Sequence, residues 1–236
     1  MRVDGKVIVI SGAASGIGKA LCHLLAERGA SLGLLDYDSP ALQLLTDDLR
    51  RNGVRCCSKA VDVRERSKVA EAIQTISDQL GLIDIHISST GICRASTVDN
   101  FLGQEFEKVV LTNLMGTVSL IEATIPSMLA RGRGHIIGIS SLAGIRGIPY
   151  EAGYAASKAA VAAYSANRLS GGKLCCNCKG RHLEHFGHVQ RTTPHSSSTA
   201  FSAKPSLDVR LSVPWLRMNI VLLGFRFVVT LPTENQ

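Results

Sequence analysis

The chain has 236 residues, 45% of them hydrophobic and 5% aromatic, an ordinary make-up for one globular domain that buries a core and carries an appendage. The net charge of +7 is uneven: residues 1–168 hold 18 Lys and Arg against 16 Asp and Glu, whereas residues 169–236 hold 8 against 3, so the basic excess reads as a solvated tail rather than a nucleic-acid or membrane surface. The seven cysteines follow no secretory signal and no uninterrupted apolar run has the length of a membrane span, so free thiols, a cytoplasmic setting and neither nucleic-acid nor membrane partners are expected.

The run KVIVIS (6–11) is short and β-branched, a buried strand. SGAASGIG (11–18) and the helical KALCHLLAERG (19–29) follow it. Gly12, Gly16 and Gly18 permit a tight turn that lets backbone approach a pyrophosphate, and the helix start adds amide donors and a positive dipole end. SLGLLDYD (31–38) is a second strand, with Asp36 where an acid binds the ribose hydroxyls of NAD and repels the 2′-phosphate of NADP. The competing reading has Asp36 start a turn before Pro40.

Residues 40–53 read as a helix with a glycine stop, 54–63 as a third strand, 66–81 as an amphipathic helix and 83–88 as a fourth strand. Asp62 either meets an adenine edge or caps the next helix. His86 lies inside the fourth strand and reads as a core or partly exposed histidine rather than a catalytic one. Residues 101–132 form a long helical region, interrupted near Thr112 to Gly116 and again at Pro126. Asn113 there is a buried amide that needs partners, or a group bonded locally at a kink. GHIIGIS (134–140) is a fifth strand. Such alternation predicts right-handed βαβ units and a doubly wound α/β parallel sheet, with the cofactor crevice at the carboxyl ends of its strands.

Tyr154 and Lys158 follow in an Ala-rich helical segment. Residues four apart share a helix face, so a phenol stands beside an ammonium. A nearby positive charge favours phenolate, which makes the pair a candidate proton donor and acceptor for a carbonyl or alcohol oxygen. Ser141, thirteen residues before Tyr154, offers a hydroxyl to the same oxygen.

Over residues 1 to about 168 these patterns together resemble the short-chain dehydrogenase/reductase family: the turn SGAASGIG, the helix asparagine Asn113, ISS with Ser141, and YAASK with Tyr154 and Lys158. The resemblance implies a Rossmann-type fold, a small alcohol or ketone substrate, and NAD rather than NADP as cofactor. It implies that Tyr154 is the general acid/base and that Lys158 lowers its pKa and bonds the nicotinamide ribose. Ser141 then orients the substrate oxygen and Asn113 holds a proton-relaying water. Gly12, Ser15, Gly16, Ile17, Gly18, Asp36, Asp62, Val63 and Gly91 join Tyr154 and Lys158 in binding the cofactor. A homo-oligomer through the helices of Asn113 and Tyr154 is implied too, weakened if the second helix is short.

Two departures stand out. Ser88, Ser89, Thr90 and Gly91 replace the family's Asn-Asn-Ala-Gly. After VAAYSANR (161–168) no sixth strand with a Pro-Gly turn is recognisable, so the sheet is expected to stop after the fifth strand and its helix. Residues 169–236 then form a basic, largely irregular tail, as a frameshifted or mis-spliced reading frame would produce, although 209–232 can form one or two strands. Cys175, Cys176, Cys178, His182, His185 and His188 crowd together there, but the spacer between zinc-ligand pairs is missing and no metal site is expected. The leading function is hydride transfer between NAD(H) and an alcohol or carbonyl compound; the alternative is a catalytically silent NAD-binding or protein-interaction module.

Overall fold

The computed structural model describes residues 2–96, 103–170 and 216–221, with backbone alone for 166–170 and 216–221. The cysteine and histidine cluster of the tail lies outside the described residues. In chain order the elements are β1 (Val7–Ser11), α1 (Gly16–Ala26), β2 (Ser31–Asp36), α2 (Ser39–Arg51), β3 (Cys56–Ala60), α3 (Arg66–Leu80) and β4 (Ile85–Ser88). Then come α4 (Gly103–Val110), a π-turn (Leu111–Met115), α5 (Gly116–Ala130), β5 (Gly134–Ile139), a short 3-10 turn (Leu142–Gly144), α6 (Ala152–Ser170) and β6 (Leu216–Val221).

All pairings are parallel, in the order β3-β2-β1-β4-β5-β6. Side chains alternate across a strand, so β1 feeds both faces. Val7 and Val9 pack with Val69, Ile73 and Ile76 of α3 and Leu120, Ile121 and Met128 of α5. Ile8 and Ile10 pack with Cys22 and Leu25 of α1 and Leu42, Leu45 and Leu49 of α2. The chain winds outward both ways from β1, and the reversal between β1 and β4 is the topological switch point where ligands of such sheets bind.

Local signals set the helix ends. Asp38 caps α2 by accepting from the Ala41 amide at 3.0 Å, with Pro40 in the first turn. Gly53, at φ +75°, turns the chain after it. The interruption expected near Thr112 to Gly116 takes the form of the π-turn, a wider loop of helix that frequently marks functional sites.

Four expectations need correcting. Pro126 does not interrupt α5; it is exposed, and the carbonyl it leaves without an amide partner belongs to the equally exposed Glu122. The α6 helix runs on to Ser170. The sheet does not stop at five strands: β6 pairs with β5 from Gly134↔Leu216 to Ile139↔Val221. An apolar run announces a strand but not its partner, and the unpaired edge of β5 supplies one. Finally, Gly103–Ala130 is long and apolar enough, by length and composition, to cross a membrane. Here much of that apolarity packs on the sheet through Leu120, Ile121 and Met128.

Candidate active site

The glycine turn is fastened to both neighbouring strands. Gly12 has φ +67°, and a Cβ on it would lie 2.9 Å from the Thr90 amide nitrogen. Only glycine accepts both conditions. Gly18 packs on the Gly12 carbonyl with no room for a side chain. Ser15 stands as N-cap of α1 with its side chain unused for capping, and no acidic residue occupies the first turn. The opening amides of the helix, at Gly16, Ile17 and Gly18, therefore receive no cap from the Ser15 side chain and no acidic neighbour in the first turn.

Asp36 closes this loop from β2. Its Oδ2 accepts from the Ala14 amide at 2.9 Å and its Oδ1 from the Asp38 amide at 3.1 Å. Asp36 thus shapes the turn before Pro40 and also stands at the glycine loop. Each oxygen keeps acceptor capacity beyond these bonds. Asp62 is not the cap of α3; Glu65 holds that position. The Asp62 carboxylate instead accepts from the Arg64 amide and guanidinium, which holds its pKa below the usual carboxylate value. The side chain of Val63 packs tightly on Gly116 at the start of α5.

The unusual Ser-Ser-Thr-Gly segment braces the same edge by other means. The Ser89 amide donates to the Ser11 carbonyl at 3.2 Å and the Thr90 amide to Ser11 Oγ at 3.4 Å. Ser88 Oγ meets His86 Nε2 at 2.9 Å, and His86 Nδ1 meets Thr124 Oγ1 at 3.0 Å. Thr124 donates its own proton to the Leu120 carbonyl at 2.9 Å. It therefore accepts from Nδ1–H, and Nε2 accepts from Ser88. Burial pushes His86 down to about 4, so it is a neutral core group, as expected. A Cβ on Gly91 would come within 3.1 Å of Lys158 Nζ and press on the ammonium.

The π-turn carries Asn113, 1% exposed. Its Oδ1 accepts from the Ile92 amide at 2.8 Å, and its Nδ2 donates to the Ile92 carbonyl and to Ser157 Oγ, each at 2.9 Å. The bonds are long-range rather than local to a kink. Ser141 is the N-cap of the 3-10 turn, where its Oγ accepts from the Ala143 amide at 3.2 Å and its own proton stays available to donate. Lys158 Nζ donates to the Ile139 carbonyl at 2.9 Å and lies 5.7 Å from the centre of the Tyr154 ring. Burial lowers Lys158 to about 8. Around neutral pH it is thus mostly a cation beside the phenol, and that charge is lost as pH rises through 8.

Sequence reasoning missed four residues of this assembly. Ser140 Oγ donates to the Lys158 carbonyl at 2.8 Å. Gly144 lets the 3-10 turn reach α6, since a Cβ on it would be 2.7 Å from the Ala159 nitrogen. Ile92 acts through its main chain, which no side-chain pattern reveals. Ser157 sits unremarked in an Ala-rich run, although it lies in the turn between Tyr154 and Lys158.

Comparison with known proteins bears on this arrangement. The family model described as short chain dehydrogenase matches residues 6–168. The 3-oxoacyl-(acyl-carrier-protein) reductase FabG of Thermotoga maritima is 29% identical over 208 residues, which are 87% of this chain and 85% of that protein. Oxidoreductase UcpA of Escherichia coli is 35% identical over 161 residues, 68% of this chain and 61% of its own length. Of the glycine betaine reductase ATRR of Emericella nidulans, 36% identical over 156 residues, the chain spans 12%. The crystal structure of an NAD+-bound xylitol dehydrogenase superposes with a TM-score of 0.69 at 28% identity, covering 72% of this chain and 66% of that one. The family match runs through the first five strands and ends within α6, beyond Ser141, Tyr154 and Lys158: the chain belongs to the short chain dehydrogenase family of oxidoreductases.

Proposed function

We propose that the protein transfers a hydride between NAD(H) and an alcohol or carbonyl substrate, with Tyr154 as general acid/base. The observation that carries this reading is convergence. Lys158, Asn113 and Gly91 come from three separate segments and meet at the carboxyl edge of the sheet, with Tyr154 one turn before Lys158 on α6 and Ser141 just after β5, two residues past the Ile139 carbonyl that holds Lys158.

The residues fit a dinucleotide. A Cβ on Gly16 would meet nothing within 4 Å, so the turn is open where a side chain would otherwise stand. The opening amides of α1, with Gly12, Ser15, Ile17 and Gly18, hold the pyrophosphate, while Asp36 accepts from ribose hydroxyls. Residues 11–16 and 36–40 contain no Lys or Arg to offset the Asp36 charge, which favours NAD over NADP. Asp62 and Val63 border the adenine. A bound nicotinamide supplies the hydride acceptor or donor. Ser141 donates to the substrate oxygen, and Tyr154 gives or takes the proton at that oxygen. Lys158 stabilises the phenolate form through its charge and reaches the nicotinamide ribose. Both amide protons of Asn113 are engaged, so its water-holding role falls to an oxygen of this residue. Its main-chain carbonyl also accepts from Thr117 Oγ1 at 2.8 Å.

The test is NADH and NADPH binding by fluorescence, then turnover with a panel of ketones and secondary alcohols. Tyr154→Phe is expected to bind NADH like the wild type and to lose roughly 10²- to 10⁴-fold in kcat, the usual contribution of a positioned acid–base group. Wild-type binding with no turnover across the panel would establish the silent dinucleotide-binding module instead.

A further inference from the structure

We infer that Ser157 is a positioning residue of the proposed reaction: its hydroxyl joins the turn of α6 that carries Tyr154 and Lys158 to the carboxamide of Asn113. The inference rests on the catalytic reading above. Ser157 is 1% exposed, and its Oγ is engaged in two directions. It donates to the Tyr154 carbonyl at 2.8 Å, three residues back along the helix, and accepts from Asn113 Nδ2 at 2.9 Å. The first bond holds the hydroxyl on the helix; the second holds the helix to the π-turn.

The orientation of Asn113 is not free to adapt. The Ile92 amide requires an oxygen opposite it and the Ile92 carbonyl requires an N–H. That pair fixes which end of the carboxamide is which, and leaves one amide proton aimed at Ser157. Asn113 Nδ2 has two protons and both are used. The result is a closed chain of bonds from the segment after β4, through the π-turn, to the carbonyl of Tyr154.

A second set of bonds approaches the same helix turn from the other side. Lys158 Nζ donates to the Ile139 carbonyl and Ser140 Oγ to the Lys158 carbonyl. Tyr154 and Lys158 are thus held between β5 on one side and Asn113 on the other. Ser157 is the side chain of α6 that makes the Asn113 contact. Removing its hydroxyl leaves a buried amide proton unpaired and frees the helix turn to shift relative to Asn113 and Gly91. The separation between the Lys158 charge and the Tyr154 phenol is set by that turn.

Ser157→Ala tests this in the full-length chain. The expected result is a kcat roughly 10- to 100-fold lower, the equivalent of one buried hydrogen bond at the reacting group. Binding of NADH stays within about threefold of wild type, since the glycine turn and Asp36 lie elsewhere and distant sites act independently. A limb of the pH–rate profile moves, because the Lys158 cation is held less closely against the reacting group. Ser157→Thr keeps the hydroxyl and is expected to recover most of kcat and the original pH limb. A purely structural hydroxyl would lower thermal stability and leave the pH limb in place. Wild-type kcat and pH profile in Ser157→Ala would overturn the inference while the catalytic reading stands. Equal impairment of the Ala and Thr variants with an unmoved pH limb would overturn it too. A wild type that binds NADH without turnover overturns both readings together.

Discussion

The two halves of the sheet reach their geometry by different means. On the β1-β2-β3 side the site is made of backbone. Glycines at positive φ, close main-chain approaches and one carboxylate gripping two amides define the loop between Ser11 and Asp36. On the β4-β5-β6 side the site is made of side-chain hydrogen bonds between segments far apart in sequence: Asn113 to Ile92 and Ser157, Lys158 to Ile139, Ser140 to Lys158. The first kind of site fails when an atom is added. The second fails when an atom is taken away, because a buried polar group left without its partner costs more than the bond contributed.

Gly18→Ala is the strongest way to break the first half. Its new methyl would meet the Gly12 carbonyl, which is backbone and cannot swing aside. Overpacking of this kind costs about 1–3 kcal/mol and occasionally more, and the upper end is expected here. Chemical denaturation would measure the loss, accompanied by weaker NADH binding.

His86 sharpens the second half. Its value of about 4 in the folded chain lies below the ordinary histidine value of 6.5. As pH falls below 6.5 the unfolded chain takes up a proton that the folded chain refuses, so stability is lost between 6.5 and 4 and the loss is complete below 4. The shift corresponds to as much as roughly 3 kcal/mol. In His86→Leu the absolute stability drops, since Ser88 and Thr124 lose a partner. The slope of unfolding free energy against pH in that window should nevertheless flatten. An unchanged slope would assign the acid sensitivity to other groups.

The smallest effect is expected at Tyr150, in the loop between β5 and α6 of the second half. Among the described residues it is the non-glycine one with positive φ, +67°, and its carbonyl accepts from the Ser96 amide at 2.8 Å. Tyr150 is 64% exposed, so its ring contributes little packing to offset the strained backbone. Tyr150→Gly removes a left-handed penalty of about 1 kcal/mol against glycine's greater unfolded freedom. A rise in melting temperature of a few degrees is expected, and a fall would mean that the ring itself holds the loop.

Much of the backbone half was legible in the sequence because its signals are local. A glycine spacing, a β-branched run and an acid at a strand end each declare themselves within a few residues, and the parallel sheet follows from their alternation. Ser141, Tyr154 and Lys158 were legible as residues, and their environment was not. The π-turn around Asn113 showed as a break in helical periodicity, yet nothing in the string tells a wider turn from a kink. Asp62 illustrates local competition: Arg64, two residues on, takes the carboxylate that a helix cap would have used. Pro126 was overread because solvent can serve the carbonyl it leaves open. The partner of β6 was illegible because a strand's own sequence carries its period, whereas its neighbour is settled by whichever edge remains unfilled.

That last strand has a consequence for the order in which the molecule comes apart. β6 has one neighbour, β5, whereas β1, β2, β4 and β5 each have two. It also returns to the sheet only after residues 171–215 have intervened, and bringing distant chain ends together carries an entropic cost that grows with separation. Amide hydrogen exchange should therefore report β6 as the first strand to open, at a free energy below that of global unfolding. Its far end, Val221, is in register with Ile139, whose carbonyl holds Lys158. Opening events at this edge would thus be felt first at the lysine, long before the glycine turn at the centre of the sheet notices them.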